Sequence, residues 1–359
     1  HDLARRQRQM CIRDSHTVLA MFSPKFANRP AYVNGSLKAH ANLHLYLCRN
    51  AKGQNRHNRG VGVRKTAVYA LGGNALKPPT GDANDASEVL ARVMSDVIDL
   101  LEMDWSVVIT HGNGPQVGHL MALDDANTHT LSEWVAATQG MIGHQLSMHL
   151  QAILERRKRP ERTAVVLTHV EVNRKDEAFQ WPTKPVGPVL DATTVMSADW
   201  DIAETVHGPR RVVASPLPER ILELDVIRHL VALRAVVFCG GGGGIPTAVG
   251  EHHLQGVPAV VDKDHFSSLL AAGLEADALI ISTEADAIYR GFGTPDAEVV
   301  RFLSTTEAKA MEEAGEFPPG SMGPKVKALC QFVSTKGSSK AVVCSPGHVL
   351  EALRGERGT

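Results

Sequence analysis

The 359 residues of this sequence predict an α/β protein with a mainly parallel central sheet and helices on both of its faces. Short runs rich in Val, Ile and Ala, continuously apolar rather than alternating, recur along the chain and read as strands buried on both sides. Between them lie longer stretches whose apolar residues return every three or four positions, the period of a helix with one buried stripe. Three of the strands run straight into glycine: AVYALGGNAL (Ala67–Leu76), SVVITHGNGPQVG (Ser106–Gly118) and AVVFCGGGGGIP (Ala235–Pro246). Glycine reaches φ > 0 and lets backbone approach a ligand with no Cβ in the way. Exposed N–H groups after such a strand form an anion-binding concavity. In a parallel sheet these turns mark the carboxyl ends of the strands, where ligands bind.

Taken in order, the strand at Ala67–Leu71 opens the body, and a polar turn (Pro78–Asn84) leads to a helix at about 85–103. Val89, Leu90, Val93, Val97, Leu100 and Leu101 form its stripe, and Asn84 or Asp85 is its expected N-cap. Ser106–Thr110 is the next strand and completes a βαβ unit, whose crossover is right-handed and parallel. The HGNGP turn opens a helix over Gln116–Leu123, and another covers Glu133–Leu154, with Gly140 and Gly143 expected to meet a backbone closely. Thr163–Val170 reads as one strand. From Asn173 to about Pro209 the pattern is irregular and proline-rich, an inserted lobe rather than sheet. Arg210–Ser215 reads as strand and Glu219–Leu233 as helix. Strands follow at Ala235–Cys239, Ala259–Asp262, Ala278–Thr283 and Lys340–Ser345, with helices at Asp264–Leu274, Thr305–Ala314, Gly323–Ser334 and Val349–Leu353.

Residues 1–64 are a different kind of segment. Through Lys65 the chain holds 13 Lys/Arg against two acids, Asp2 and Asp14, a net +11 that leaves −12 on the remainder of a chain whose total is −1. With no sustained period and a polar, glycine-containing tail, the leader is expected to be a disordered or non-native extension, Met10 and Met21 being candidate starts. An Arg-rich organellar transit segment is the competing reading, and a nucleic-acid arm lacks a folded motif to support it. His40 and His44 lie four apart with no third ligand beside them. In the body, no apolar run reaches the roughly 18–20 residues that span a membrane. The five scattered cysteines, with no CxxC, fit a reducing compartment and argue against a thiolate metal site.

Two nucleotide signatures are missing. There is no GxxxxGK[ST], which excludes a P-loop enzyme. There is no GxGxxG followed by an acid about 20 residues on, and Pro246 stands where a pyrophosphate helix would begin, so a nicotinamide enzyme does not fit. What remains is a set of glycine-rich cradles and three lysines in constrained settings: Lys184 in PTKPVGP, Lys263 in VDKD and Lys325 in PGSMGPK. Phosphoryl transfer asks mainly for alignment and for cations that neutralise the moving group, which backbone nests, lysines and an orienting aspartate supply.

The motifs ALGGNAL, THGNGPQVG, TQGMIGH, PTKPVGP, RRVVASP, GGGGIP, VDKDHFSSLLA, AIYRGFGTP and PGSMGPKV occur in this order, and together they resemble the carbamate kinases of the amino acid kinase superfamily over about Thr66–Thr359. The resemblance implies a three-layer αβα sandwich with a small protruding lobe, a cytoplasmic homodimer, and interconversion of ATP plus carbamate with ADP plus carbamoyl phosphate. It implies Mg²⁺ travelling with ATP or ADP, and a direction toward ATP in arginine or related nitrogen catabolism. No nucleic acid or membrane partner is expected. Residue by residue, it implies that Gly72, Gly73 and Asn74 hold transferring phosphate oxygens, and that Gly112, Asn113, Gly114 and Gly241, Gly242, Gly243 line the carbamate end. Lys184, Lys263 and Lys325 would clamp the phosphoryl group, with Asp264 orienting lysines and water on Mg²⁺. Thr283, Asp286, Tyr289, Phe292 and Met322 would form the nucleotide side. His111 is expected to position rather than catalyse, since carbamate is already an anion. The chain departs from the family pattern at Glu284, Ala285, Gly291, His169 and His144. The alternatives are a kinase of the same fold acting on another small acid or phosphate, and a non-catalytic ligand sensor.

Overall fold

A computed structural model describes residues 64–72, 83–124, 128–205, 208–250, 253–317, 322–335, 337 and 339–359, with side chains in the first helix from residue 87 onward. Residues 1–63 of the leader, Gly73, Asn74 and the expected turn up to residue 82 lie outside the described residues, whereas the first helix already starts at Ala83 and includes Asn84 and Asp85, so neither of these is its N-cap.

The organising element is a six-stranded sheet in the order β15-β12-β1-β2-β9-β3, every pairing parallel. Its strands are β1 (Thr66–Leu71), β2 (Ser106–His111), β3 (Arg162–Val166), β9 (Ala235–Cys239), β12 (Ala278–Ser282) and β15 (Lys340–Cys344). Successive side chains of a strand point to opposite faces, and β1 shows the consequence. Ala67, Tyr69 and Leu71 pack with α1 (Ala83–Glu102), α3 (Leu131–Arg156) and α9 (Val349–Arg354). Val68 and Ala70 pack on the other face with α6 (Lys263–Gly273) and α8 (Met322–Thr335). Both layers are closed to solvent, with Tyr69 and Leu150 on one side and Phe266 and Phe332 on the other fully buried. Truncating either phenylalanine to Ala would cost about 3–5 kcal/mol.

The three-layer architecture follows the sequence, and several elements differ in detail. The expected strand at Thr163–Val170 is two strands, because the chain leaves the central sheet after β3 and joins a second sheet as β4 (His169–Val172). That four-stranded sheet runs β11-β10-β4-β8, with β8 (Pro218–Ile221), β10 (Ile245–Val249) and β11 (Leu254–Gly256). The helix expected from Glu219 therefore starts late, as α5 (Leu224–Ala232), since Pro218–Ile221 is spent pairing with β4. Ala259–Asp262 is not a strand but a single bridge from Ala259 to Ala214. Asp262 is instead drawn off to cap α6.

The segment expected to be irregular contains a small antiparallel sheet, β5-β7-β6, formed by β5 (Lys184–Val186), β6 (Ile202–Thr205) and β7 (Gly208–Val213), with helix α4 (Ala192–Ser197) beside it. Prolines hide this sheet in the sequence, yet Pro185 and Pro209 sit where short antiparallel strands tolerate them. The remaining elements are α2 (Gly114–Leu123), α7 (Thr305–Glu313) and a hairpin of β13 (Ile288–Arg290) and β14 (Glu298–Val300). Gly143 meets the side chain of Val165 rather than a backbone, and Gly140 has open space around it. Among the described residues no helix is long and apolar enough to cross a membrane.

Candidate active site

The glycine turns lie together at the carboxyl ends of β1, β2, β9 and β12. They border a cavity of about 490 Å³ that Gly72, Gly112, Asn113, Gly114 and Gly242 share with all three lysines. Each turn is held by its own local chemistry. Gly72 follows β1 and donates to the carbonyl of Ser282 at 3.0 Å, tying two strand ends together. Asn113 begins α2 with Pro115 in the first turn, where its missing N–H costs nothing. The buried amide nitrogen of Asn113 donates to the Thr138 hydroxyl at 2.9 Å, which fixes its oxygen.

The third turn could be built only from glycine. Gly240, Gly242, Gly243 and Gly244 have φ of 60°, 66°, 83° and 87°, in the left-handed region that L side chains avoid. A Cβ on Gly242 would land on the Asn113 amide, and one on Gly243 on the carbonyl of Val261. Gln139 locks the turn from behind by donating to the carbonyls of Gly241 (3.0 Å) and Thr168 (3.2 Å). Gly241 and Gly243 therefore shape the turn without lining the cavity, and Gly242 carries its surface.

The lysines converge from three separate elements onto two carboxylates at the start of α6. Lys184, on β5 of the lobe, pairs with Asp262 at 2.5 Å. Lys263 pairs with Asp264, and Lys325 of α8 reaches the other oxygen of Asp264 at 3.3 Å. With Arg92 and Glu284 also in the lining, four cationic side chains face three carboxylates, leaving the pocket with surplus positive charge for an anion. Burial pushes the Lys184 pKa down, but the charge and hydrogen bond of Asp262 outweigh it, and the net shift is upward. Lys263 goes the other way: burial dominates, the nearby Lys325 charge adds to it, and its pairing with Asp264 does not compensate. Asp262 is held well below the usual carboxylate range; burial opposes this, and the Lys184 charge and hydrogen bond overcome it.

Asp262 is the residue that reading the sequence missed. It caps α6 by accepting from the Asp264 N–H at 2.8 Å, leaving its second oxygen for Lys184. An aspartate immediately before a helix was a legible N-cap; its lysine, 78 positions away, was not. Arg92 and Ser345 also line the cavity with no local signal of their own. His111 lies beneath, buried, its Nδ1 at 3.0 Å from the Gly112 carbonyl. Burial lowers its pKa to about 4, so it is neutral at pH 7.

The expected nucleotide side is only partly at this cavity. Thr283 lines it, and Met322 opens α8 two residues before Pro324, which also lines it. Asp286, Tyr289 and Phe292 lie on and around β13 and are not among the cavity's lining residues, although Asp286 borders a smaller cavity that shares Ser345 with it. There the Tyr289 hydroxyl donates to Asp286 at 2.8 Å, and Phe292 is 62% exposed. The chain's His169 is pinned on the second sheet by Glu223 at 2.8 Å.

No cluster of three or more His, Cys, Asp or Glu suited to a metal occurs among the described residues, and the Asp264 oxygens face lysines. Such a donor set suits an ion that arrives on a polyphosphate, since magnesium keeps several waters and needs one or two carboxylates beyond the phosphate oxygens.

Residues 65–345 match the Amino acid kinase family. The carbamate kinase of Halobacterium salinarum is 39% identical over 302 residues, 81% of this chain and 96% of that protein. That of Rhizobium meliloti is 41% identical over 310 residues, 81% of this chain and 91% of that protein. Among solved structures, the carbamate kinase of Giardia lamblia bound to AMP-PNP superposes with a TM-score of 0.72 at 32% identity, covering 82% of this chain and 98% of that one. Its complex with citric acid gives a TM-score of 0.75. At that identity, over nearly the whole length of those proteins, the chain belongs to the amino acid kinase family and, within it, to the carbamate kinases.

Proposed function

We propose that this chain moves a phosphoryl group between carbamoyl phosphate and ADP, giving carbamate and ATP, and runs in that direction. The observation that carries the reading is the meeting of Lys184, Lys263 and Lys325, from three elements, around Asp262 and Asp264 at the mouth of the glycine turns. A phosphate group entering this pocket would take over ammonium protons that the two carboxylates now accept.

In the transfer, the bond from phosphorus to the carbamate oxygen breaks as one forms to a terminal oxygen of ADP. Charge spreads over the three equatorial oxygens, and aligned cations stabilise it. Lys184 would approach from the lobe, Lys263 and Lys325 from the body, with Asp264 holding the latter two apart and aimed. Gly72, Gly73 and Asn74 would cradle the moving group. Gly112–Gly114 and Gly242 would enclose carbamate, with Gly241 and Gly243 shaping the turn behind it, and Thr283, Asp286, Tyr289, Phe292 and Met322 would hold the nucleotide. Magnesium carried by the nucleotide would neutralise its phosphate oxygens. No general base is needed, because carbamate leaves as an anion, and His111, neutral and turned to its neighbour's carbonyl, would hold the β2 turn in place.

The resemblance also implies an arginine or related catabolic role, a cytoplasmic setting and a homodimer. Three cysteines of the body, Cys239, Cys330 and Cys344, are free thiols, as a reducing compartment favours. The central sheet ends on β3, whose Val165 stands exposed beside Leu167, a face that a second copy would cover. The deciding experiment is ATP formation from ADP with carbamoyl phosphate, run beside acetyl phosphate and N-acetylglutamate phosphate. Turnover with carbamoyl phosphate alone is expected; equal turnover with acetyl phosphate would overturn the acceptor assignment.

A further inference from the structure

The lobe carries Lys184, yet the lobe is a small three-stranded sheet, and something must set how far its lysine reaches. One close approach between it and the body is backbone on backbone. Gly118, buried on α2, faces Gly187, the residue after β5, so closely that a Cβ on Gly118 would fall on the Cα and N of Gly187. A side chain in the way can rotate, but these two atoms move only if the strand moves. Gly187 is itself held from the lobe side, where the Arg210 guanidinium of β7 donates to its carbonyl at 3.1 and 2.6 Å. Its φ of +72° is a conformation that glycine alone takes without strain. Lys184 lies three residues upstream, at the start of β5, and α2 begins at the Gly112–Gly114 turn that lines the cavity.

We propose that the Gly118–Gly187 contact is a latch that fixes the height of the lobe over the pocket, making Gly118 a positioning residue that acts through Lys184. A methyl group there would lift β5 by roughly the depth of the overlap. A misplacement of about 1 Å in a charge-aligned site can cost on the order of 100-fold in rate. The inference rests on the phosphoryl-transfer reading for its kinetic consequence, but its geometric consequence, the reach of Lys184 to Asp262, is independent of substrate.

The test is Gly118→Ala, with Gly140→Ala as control because nothing lies within 4 Å of that position. Two readouts are taken on the full chain. In the first, residue-resolved acetylation followed by mass spectrometry should show Lys184 reacting several-fold faster in G118A, approaching its rate in Asp262→Asn, with Lys325 unchanged. In the second, kcat should fall about 100-fold, the KM for ADP should stay within twofold, and the same substitution in a Lys184→Ala background should cost nothing further. If G118A does not fold, Arg210→Ala releases Gly187 from the other side and should raise Lys184 acetylation alone. Unchanged Lys184 reactivity in a folded variant, or a kcat loss that is additive with K184A, overturns the latch. Absence of wild-type turnover with faster Lys184 acetylation in G118A would sink the kinase reading and leave the latch standing.

Discussion

Two carboxylates two residues apart at the start of α6 do the same job with different partners, and the contrast separates the half of the pocket built from the body's core from the half supplied by the lobe. Asp264 is 2% exposed and binds Lys263 from its own helix and Lys325 from α8, which packs against that helix in the core. Asp262 binds a lysine that arrives on a lobe, with a side chain still 32% exposed. One pair is part of the body's packing. The other joins the body to the lobe, so its geometry depends on how the lobe is seated.

The strongest way to break the comparison is Asp264→Asn, which removes the shared partner of two largely buried ammonium groups. Loss of about 3–5 kcal/mol of stability is expected, read by chemical denaturation, together with near-complete loss of turnover. Lys184→Ala should do the reverse. Turnover should fall by roughly 3 kcal/mol of transition-state stabilisation, while stability changes by no more than about 1 kcal/mol, as for other part-exposed pairs. A K184A variant with near-normal kcat would remove the lobe from the chemistry.

The two lysine settings also differ in the sign of their titration. The folded pKa of Lys184 is raised, so its stabilising pair persists below the ordinary lysine value and is lost as pH climbs through the raised one. That of Lys263 is lowered, so the folded chain gives up this proton first, and stability gains with pH across that window. Per-residue acetylation against pH should therefore find Lys263 becoming reactive before Lys184. His111 supplies an acid-side counterpart in the body. With its pKa at about 4 folded against 6.5 unfolded, the unfolded chain binds more protons between those values. Stability should fall by about 3 kcal/mol as pH drops through that window, and His111→Gln should flatten the profile.

The smallest effect is expected outside both pairs. Tyr289→Phe removes one exposed hydrogen bond to Asp286 and should cost under about 1 kcal/mol in stability. If the nucleotide rests on β13, the same variant should raise the KM for ADP a few-fold with kcat unchanged; an unmoved KM would shift the adenine elsewhere.

What could be read from the chain alone was whatever short-range chemistry dictates. A run such as AVYAL must be buried on both faces, and a run of five glycines can take left-handed turns that other residues resist, so the parallel sheet and the place of its turns were legible. The Lys184, Lys263 and Lys325 contexts were also local, rigid and odd enough to be singled out. The second sheet was not legible, because nothing within THVEV or PERI states that the two will pair across 49 positions, as Glu171 and Arg220 do. Nor was Asp262 visible as more than a helix cap, or Gly118 as more than one glycine in a motif. Residue types set which turns and which charges exist; only folding decided which carboxylate each ammonium meets. The reason is that ion pairing and backbone clearance depend on distances between elements far apart in the chain, and those are fixed by packing of the two apolar layers, not by any neighbour in sequence.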